Sequence, residues 1–256
     1  MQTSVLKLTI FSRYFFLAVL LSSSLFGSVT VAVAANVSYA IKALQADFKQ
    51  HYPNVKLRIV LGSSGKLTAQ IRHGAPYDIF MSANMNYPQS LYHDKTAIAK
   101  PIVYAQGTLS YFSVKKQNFS HNMNLLKNKN IKKIAMGNPK TAPYGKATLQ
   151  AFESANIYHD IKSKLIFAES ISQTLSYAVS ATDIGIVATS SMYSEHMKKY
   201  KHNINWFEVD SALYKPISQG IVLLKQAKNN NDAKLFYNYI LSEKAKKIFL
   251  KYGYLL

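Results

Sequence analysis

The chain has 256 residues, 48% of them hydrophobic, with 31 Lys and Arg against 12 Asp and Glu, a formal charge of +19 and no cysteine. That much apolar material builds one large α/β domain or two lobes of ordinary size, so disorder is excluded; the missing thiols exclude a disulfide scaffold, a lipidated N-terminal Cys, thiolate metal sites and thiol nucleophiles. The cations are scattered in short pairs such as Lys132-Lys133, Lys198-Lys199 and Lys246-Lys247, with no basic run interleaved with aromatics, which points to a solvated basic surface and away from a nucleic-acid track.

At the N-terminus, Lys7 and Arg13 precede the apolar run of residues 14–21 and the triplet Ser22-Ser23-Ser24: a charged head, an apolar centre and small residues, as an export signal requires. No charge occurs between Arg13 and Lys42, so length alone also admits a membrane anchor. The Ser triplet and Gly27 dilute the run and favour a cleaved signal. Ala32-Val33-Ala34 fits a cleavage site too, but residues 29–33 alternate like a strand, so the signal is placed at 1–28 with the cut before Val29. Loss of Lys7 and Arg13 would leave a mature charge of +17, two below the +19 of the whole chain.

Strands and helices then alternate, the pattern of an α/β layer fold with mostly parallel strands. Residues 29–33 read as a buried strand. Over 38–52, Ile41, Leu44 and Phe48 fall on one helical face, and Pro53 ends the helix. Residues 55–61 are the next strand, with Val55, Leu57 and Ile59 alternating against Lys56 and Arg58. A small-residue loop, Gly62-Ser63-Ser64-Gly65, leads into a helix over 67–72. Further strands are expected at 77–82, 108–114, 133–136, 184–188 and 220–224, and helices at 148–155, 232–241 and 242–252, the last stopped by Gly253.

The loop after the second strand invites a nucleotide reading and fails it. A phosphate-binding loop of the Walker type needs Gly, four residues, then Gly-Lys-Ser/Thr; here Val60 stands at the first glycine and Leu67 at the hydroxyl. What remains is a strand end, small residues that let the backbone approach a guest, and a helix N-terminus with unpaired N–H groups. Ser64 either caps that helix or donates to a guest. The pattern recurs: Ala34-Ala35-Asn36-Val37-Ser38 lies between strand and helix, with Asn36 placed to cap or to aim its amide inward, and residues 137–145 follow another strand. Three such loops at strand C-terminal ends fit the rule for ligand sites in open α/β sheets. Lys66 and Lys146, just past two of the loops, are expected to face solvent and steer anions from a distance. Asp78, in an apolar strand, is expected to be structural, since a carboxylate facing an anion would repel it.

Neither His-Glu-x-x-His nor Gly-x-Ser-x-Gly occurs, and the seven histidines form no i, i+4 pair, so a zinc site and a hydrolase lack support and no enzymatic activity is expected.

Five stretches taken in order, VAVAANVSYAIKALQADFKQ, LGSSGKLTAQIRHGAPYDIFMSAN, GNPKTAPYG, AESISQTLSYAVSATDIGIVA and AKKIFLKYGY, resemble the periplasmic molybdate-binding proteins that serve ABC importers, from Val29 to the C-terminus. The resemblance implies an α/β, two-lobed class II binding protein with mixed, mostly parallel sheets and a ligand cleft between lobes of residues 29–104 plus 214–256 and 105–213. It implies an oxyanion held by Asn36, Ser64, Tyr144 and Ile171, with Ala35 and Ser63 as secondary candidates, Tyr144 and Ile171 donating backbone N–H. Some members have a binding Tyr where this chain has Ala188; Tyr144 is expected to supply that hydroxyl instead. It further implies periplasmic location, a monomer, no cofactor, no metal cation (molybdenum enters only as molybdate, or tungsten as tungstate), an inner-membrane ABC permease as partner and no nucleic acid. The rivals are a binder of another oxyanion such as sulfate or phosphate, and a basic surface adhesin or nucleic-acid binder.

Overall fold

The computed structural model describes residues 28–256, so the expected export signal, Ser28 apart, lies outside the described residues. Among the described residues no helix is long and apolar enough to cross a membrane.

Two five-stranded sheets form the frame. The first has the order β2-β1-β3-β10-β4, built from β1 (Val29–Ala34), β2 (Leu57–Gly62), β3 (Ile79–Met81), β4 (Ile102–Gly107) and β10 (Ile217–Leu223). The second has the order β7-β6-β8-β5-β9, from β5 (Leu109–Phe112), β6 (Ile134–Gly137), β7 (Leu165–Ala168), β8 (Ile184–Ala188) and β9 (Trp206–Glu208). In the first sheet β1 pairs in parallel with β2 and β3, and β10 is antiparallel to both β3 and β4. The second repeats the scheme, with β5 as the reversed strand between β8 and β9. Four strands of each sheet thus run one way, and the mixed, mostly parallel expectation holds.

The chain leaves the first sheet after Gly107, enters the second at Leu109, and returns through residues 209–216. Because β4 pairs with β10 and β5 with β9, the two crossings run side by side.

Helices cover both faces of each sheet, which is why β1 and β8 are buried along their whole length. Val29, Val31 and Val33 pack against α1 (Ile41–His51), α7 (Asn231–Ile240) and α8 (Glu243–Lys251) through Leu44, Phe48, Phe236 and Phe249. Ala32 and Phe80 point the other way, onto Leu67, Ile71 and Leu91 of α2 (Ser64–Arg72) and α3 (Asn86–His93). The second sheet lies between α4 (Pro143–Ser154), with the single turn α5 (Tyr158–Ile161), and α6 (Ile171–Ser180).

Several elements depart from the sequence reading. The helix expected from residue 38 begins as a 3-10 turn, Ala35–Tyr39, and becomes α-helical at Ile41. The helix expected over 148–155 starts at Pro143, whose fixed φ suits a first helical turn. The unforeseen α3 carries Pro88 in its first turn, and the unforeseen β4 is an edge strand whose Ile102 and Val103 are exposed, so neither shows the apolar period of a half-buried element.

Candidate oxyanion cleft

Parallel strands point their C-terminal ends the same way, and here five of them deliver loops to one place. β1 ends in Ala34, Ala35 and Asn36; β2 in Ser63 and Ser64; β3 leads to Ala83. From the second sheet, β6 leads to Ala142, Pro143 and Tyr144, and β7 to Ile171. These residues line one small cavity. Asn36, Ser64, Tyr144 and Ile171 therefore surround a common space, and Ala35 and Ser63 belong to the same wall. No charged side chain lines it.

Each polar group has a local reason for its position. Ser64 does not cap α2. It is the first residue of the helix, and its hydroxyl accepts the Ala83 N–H at 2.9 Å, tying the loop after β2 to that after β3. No side chain caps α2 or α4, so the N–H groups at those two helix starts have no side-chain partner, whereas at α6 the Ser170 hydroxyl accepts the Gln173 N–H at 3.3 Å. Asn36 caps nothing. Its Nδ2 donates to Gln219 Oε1 at 2.7 Å and to the Tyr254 hydroxyl at 3.1 Å, while its backbone carbonyl accepts from Tyr254 at 2.9 Å and, across the cleft, from the Ser190 hydroxyl at 3.3 Å. Two cavity-lining residues carry buried polar atoms with no partner, Asn36 Oδ1 and Ser63 Oγ. A buried unpaired group is costly, which marks this as a place where a guest completes the bonding.

Behind the wall lies a polar network that sequence reading missed. Gln219, fully buried on β10, accepts from the Tyr104 hydroxyl at 2.8 Å and donates to the Tyr144 hydroxyl at 3.2 Å. The Tyr144 hydroxyl, expected to meet the ligand, is thus engaged with Gln219 beside Gly107, where any Cβ would collide with it. Burial pushes the hydroxyls of Tyr104, Tyr144 and Tyr254 above tyrosine's ordinary 10, so all three are neutral. One signal for Gln219 was present: a large amide inside an otherwise apolar strand needs buried partners.

The two halves touch across the cleft. Gly65 N–H donates to the Thr141 carbonyl at 3.0 Å, and Lys66 Nζ pairs with Glu169 at 2.6 Å. Lys66 is exposed, as expected, and in addition it spans the cleft, because α2 and the loop before α6 bring the two side chains together at the rim. Lys146 is exposed. Asp78 takes no part in the cavity: its carboxylate accepts the Thr30 N–H at 2.8 Å and the Asn230 amide at 3.1 Å, joining β1 to the start of α7.

Two α/β lobes joined by paired crossings, closing on a small cavity lined by uncharged donors, define a solute-binding protein. The chain belongs to the family described as bacterial extracellular solute-binding proteins, matched over residues 29–255. It is 32% identical over 228 residues to a molybdate-binding protein of Azotobacter vinelandii, covering 88% of this chain and 89% of that one. It is 28% identical over 232 residues to a putative ABC transporter substrate-binding lipoprotein of Bacillus subtilis, covering 89% and 86%. Its structure is similar to that of the A. vinelandii periplasmic molybdate-binding protein, with a TM-score of 0.82 at 28% identity over 90% of this chain and 99% of that one.

Proposed function

We propose that this protein binds a tetrahedral oxyanion, molybdate or tungstate, between its lobes in the periplasm and delivers it to the permease of an ABC importer. The observation that carries the reading is the cavity itself: small, uncharged, and walled by helix starts from both lobes. Asn36, Ser64, Tyr144 and Ile171 are the proposed ligand residues, with Ala35 and Ser63 beside them. A dianion offers acceptors to every donor in the ring, and hydrogen bonds to a charged group contribute about 1.5–3 kcal/mol each. A handful of them supports binding near ~12 kcal/mol, the nanomolar range, without a counter-cation. The similarity to a molybdate-binding relative and to an ABC transporter lipoprotein supports both the ligand and the partner.

The protein is read as a carrier, not an enzyme, working without a cofactor and as a monomer. Its basic surface raises the local concentration of anions and is not a nucleic-acid track. Calorimetric titration of the mature chain with molybdate, tungstate, sulfate and phosphate tests this. Heat from the first two alone is the expected result. Heat from sulfate or phosphate alone would favour another oxyanion, and none from any would sink the reading.

A further inference from the structure

Asn36, in the cavity wall, and Gln219, behind it, meet amide to amide. With Asn36 Nδ2 donating to Gln219 Oε1 at 2.7 Å, Asn36 Oδ1 is left buried and unpartnered. Gln219 Oε1 also receives the Tyr104 hydroxyl at 2.8 Å, whereas Nε2, with two protons, has one partner, the Tyr144 hydroxyl at 3.2 Å. That bond uses Tyr144 as acceptor and leaves its own proton unplaced. An acceptor, an N–H and an O–H thus go unused in a fully buried cluster.

The two ends of a side-chain amide have nearly the same shape, so a half-turn of each group exchanges donor for acceptor while every heavy-atom position stays filled. After that exchange Gln219 Nε2 spends both protons, one on Asn36 Oδ1 at 2.7 Å and one on the Tyr104 hydroxyl at 2.8 Å. Gln219 Oε1 receives the Tyr144 proton at 3.2 Å, and Tyr104 turns its own proton to the Ser82 carbonyl at 3.5 Å. Tyr254 loses the donor that Nδ2 gave it and shares its single proton between the Asn36 backbone carbonyl at 2.9 Å and Oδ1 at 3.1 Å. The one group left over is Asn36 Nδ2, a donor in the cavity wall.

We propose that Gln219 is a positioning residue: held by Tyr144 and Tyr104, it turns the Asn36 amide so that N–H faces the guest, making the cavity donor-only. The proposal rests on the oxyanion reading above and adds its source of selectivity. A carbonyl oxygen facing the cavity would repel a bare dianion and welcome a guest with a proton to give, such as hydrogen phosphate. An N–H does the reverse. Gln219 does not line the cavity, so it acts through Asn36, and the Tyr144 hydroxyl acts through Gln219.

The test compares molybdate and phosphate binding in the unaltered protein, in Gln219→Met, in Tyr144→Phe and in the double variant. The relay gives a loss of roughly 10- to 100-fold in molybdate affinity for Gln219→Met, with a narrower preference for molybdate over phosphate. Tyr144→Phe weakens binding in the unaltered background and adds little in Gln219→Met. Additive losses would place the Tyr144 hydroxyl directly on the guest and overturn the relay, as would unchanged affinity and preference in Gln219→Met. An unaltered protein that binds no oxyanion overturns the functional reading itself. Side-chain amide NMR of the unaltered protein covers the case of a variant that does not fold. The Asn36 NH₂ signals should shift on adding molybdate and show proximity to the Ser64 or Ile171 amides; proximity to the Tyr254 ring without a shift overturns the proposal.

Discussion

Ser64 shows how one side chain serves both stability and recognition. Its hydroxyl accepts the Ala83 N–H, and both residues line the cavity, so the bond fixes the separation of two loops whose small side chains form the wall. Ser64→Ala leaves that buried N–H without an acceptor, at a cost of about 1–3 kcal/mol in folding stability. Thermal melts should show the loss, and calorimetry should show molybdate affinity lowered at least tenfold. A variant that melts normally and binds normally would remove Ser64 from both roles. At this scale the sequence was readable where chemistry is local: a Gly-Ser-Ser-Gly after a strand has few uses. Whether Ser64 capped its helix or reached a neighbouring loop was not readable, because Ala83 lies on another element and only the pairing of β2 and β3 on either side of β1 brings it near.

Among the elements, the rim of the cleft is held by the first turn of α2 and the loop before α6. Lys66 and Glu169 pair at 2.6 Å with both side chains more than half exposed, 54% and 58%. Such a pair contributes at most about 1 kcal/mol and is screened by salt. Lys66→Ala is therefore expected to speed molybdate release a few-fold at low ionic strength and to match the unaltered protein at high salt, measured by stopped-flow. A change in association alone would mean that the lysine only steers anions. The buried elements were legible in the sequence because β1, β8 and α1 carry the period or the largely apolar run that burial imposes. Three of the four edges were not: β4, β7 and β9 are short or half exposed, whereas the edge strand β2 was legible through its alternation.

For the whole molecule, the buried tyrosine cluster sets an upper limit on pH. Tyr104, Tyr144 and Tyr254 have folded values raised above their ordinary 10 by burial, so the folded state holds protons that the unfolded chain gives up. Their contribution to stability is complete below pH 10 and is lost as pH rises from there towards the folded values. Melting temperature should fall steeply above pH 10, and the tyrosinate absorbance of these three should emerge only with unfolding. A ligand that binds only the folded chain raises stability by mass action: at 100 times its dissociation constant molybdate should add about 2.7 kcal/mol, or roughly 5–10 °C in melting temperature for a chain of this size. Sulfate at the same concentration should leave the melt unmoved.

The amino-acid sequence by itself determined the alternation of strand and helix, the positions of the small-residue loops at strand ends, the uncharged character of the candidate donors and the family resemblance. These are local or periodic properties, written into neighbouring residues. Only the tertiary structure decided that Asn36 and Ser64 meet Tyr144 and Ile171 around one space, that Lys66 crosses the rim to Glu169, and that Gln219 stands behind the wall between Tyr104, Tyr144 and Asn36. Those partners are separated by tens to hundreds of residues, and hydrogen bonds over such separations leave no periodic trace; they form where two sheets, crossed twice by the chain, bring their strand ends face to face.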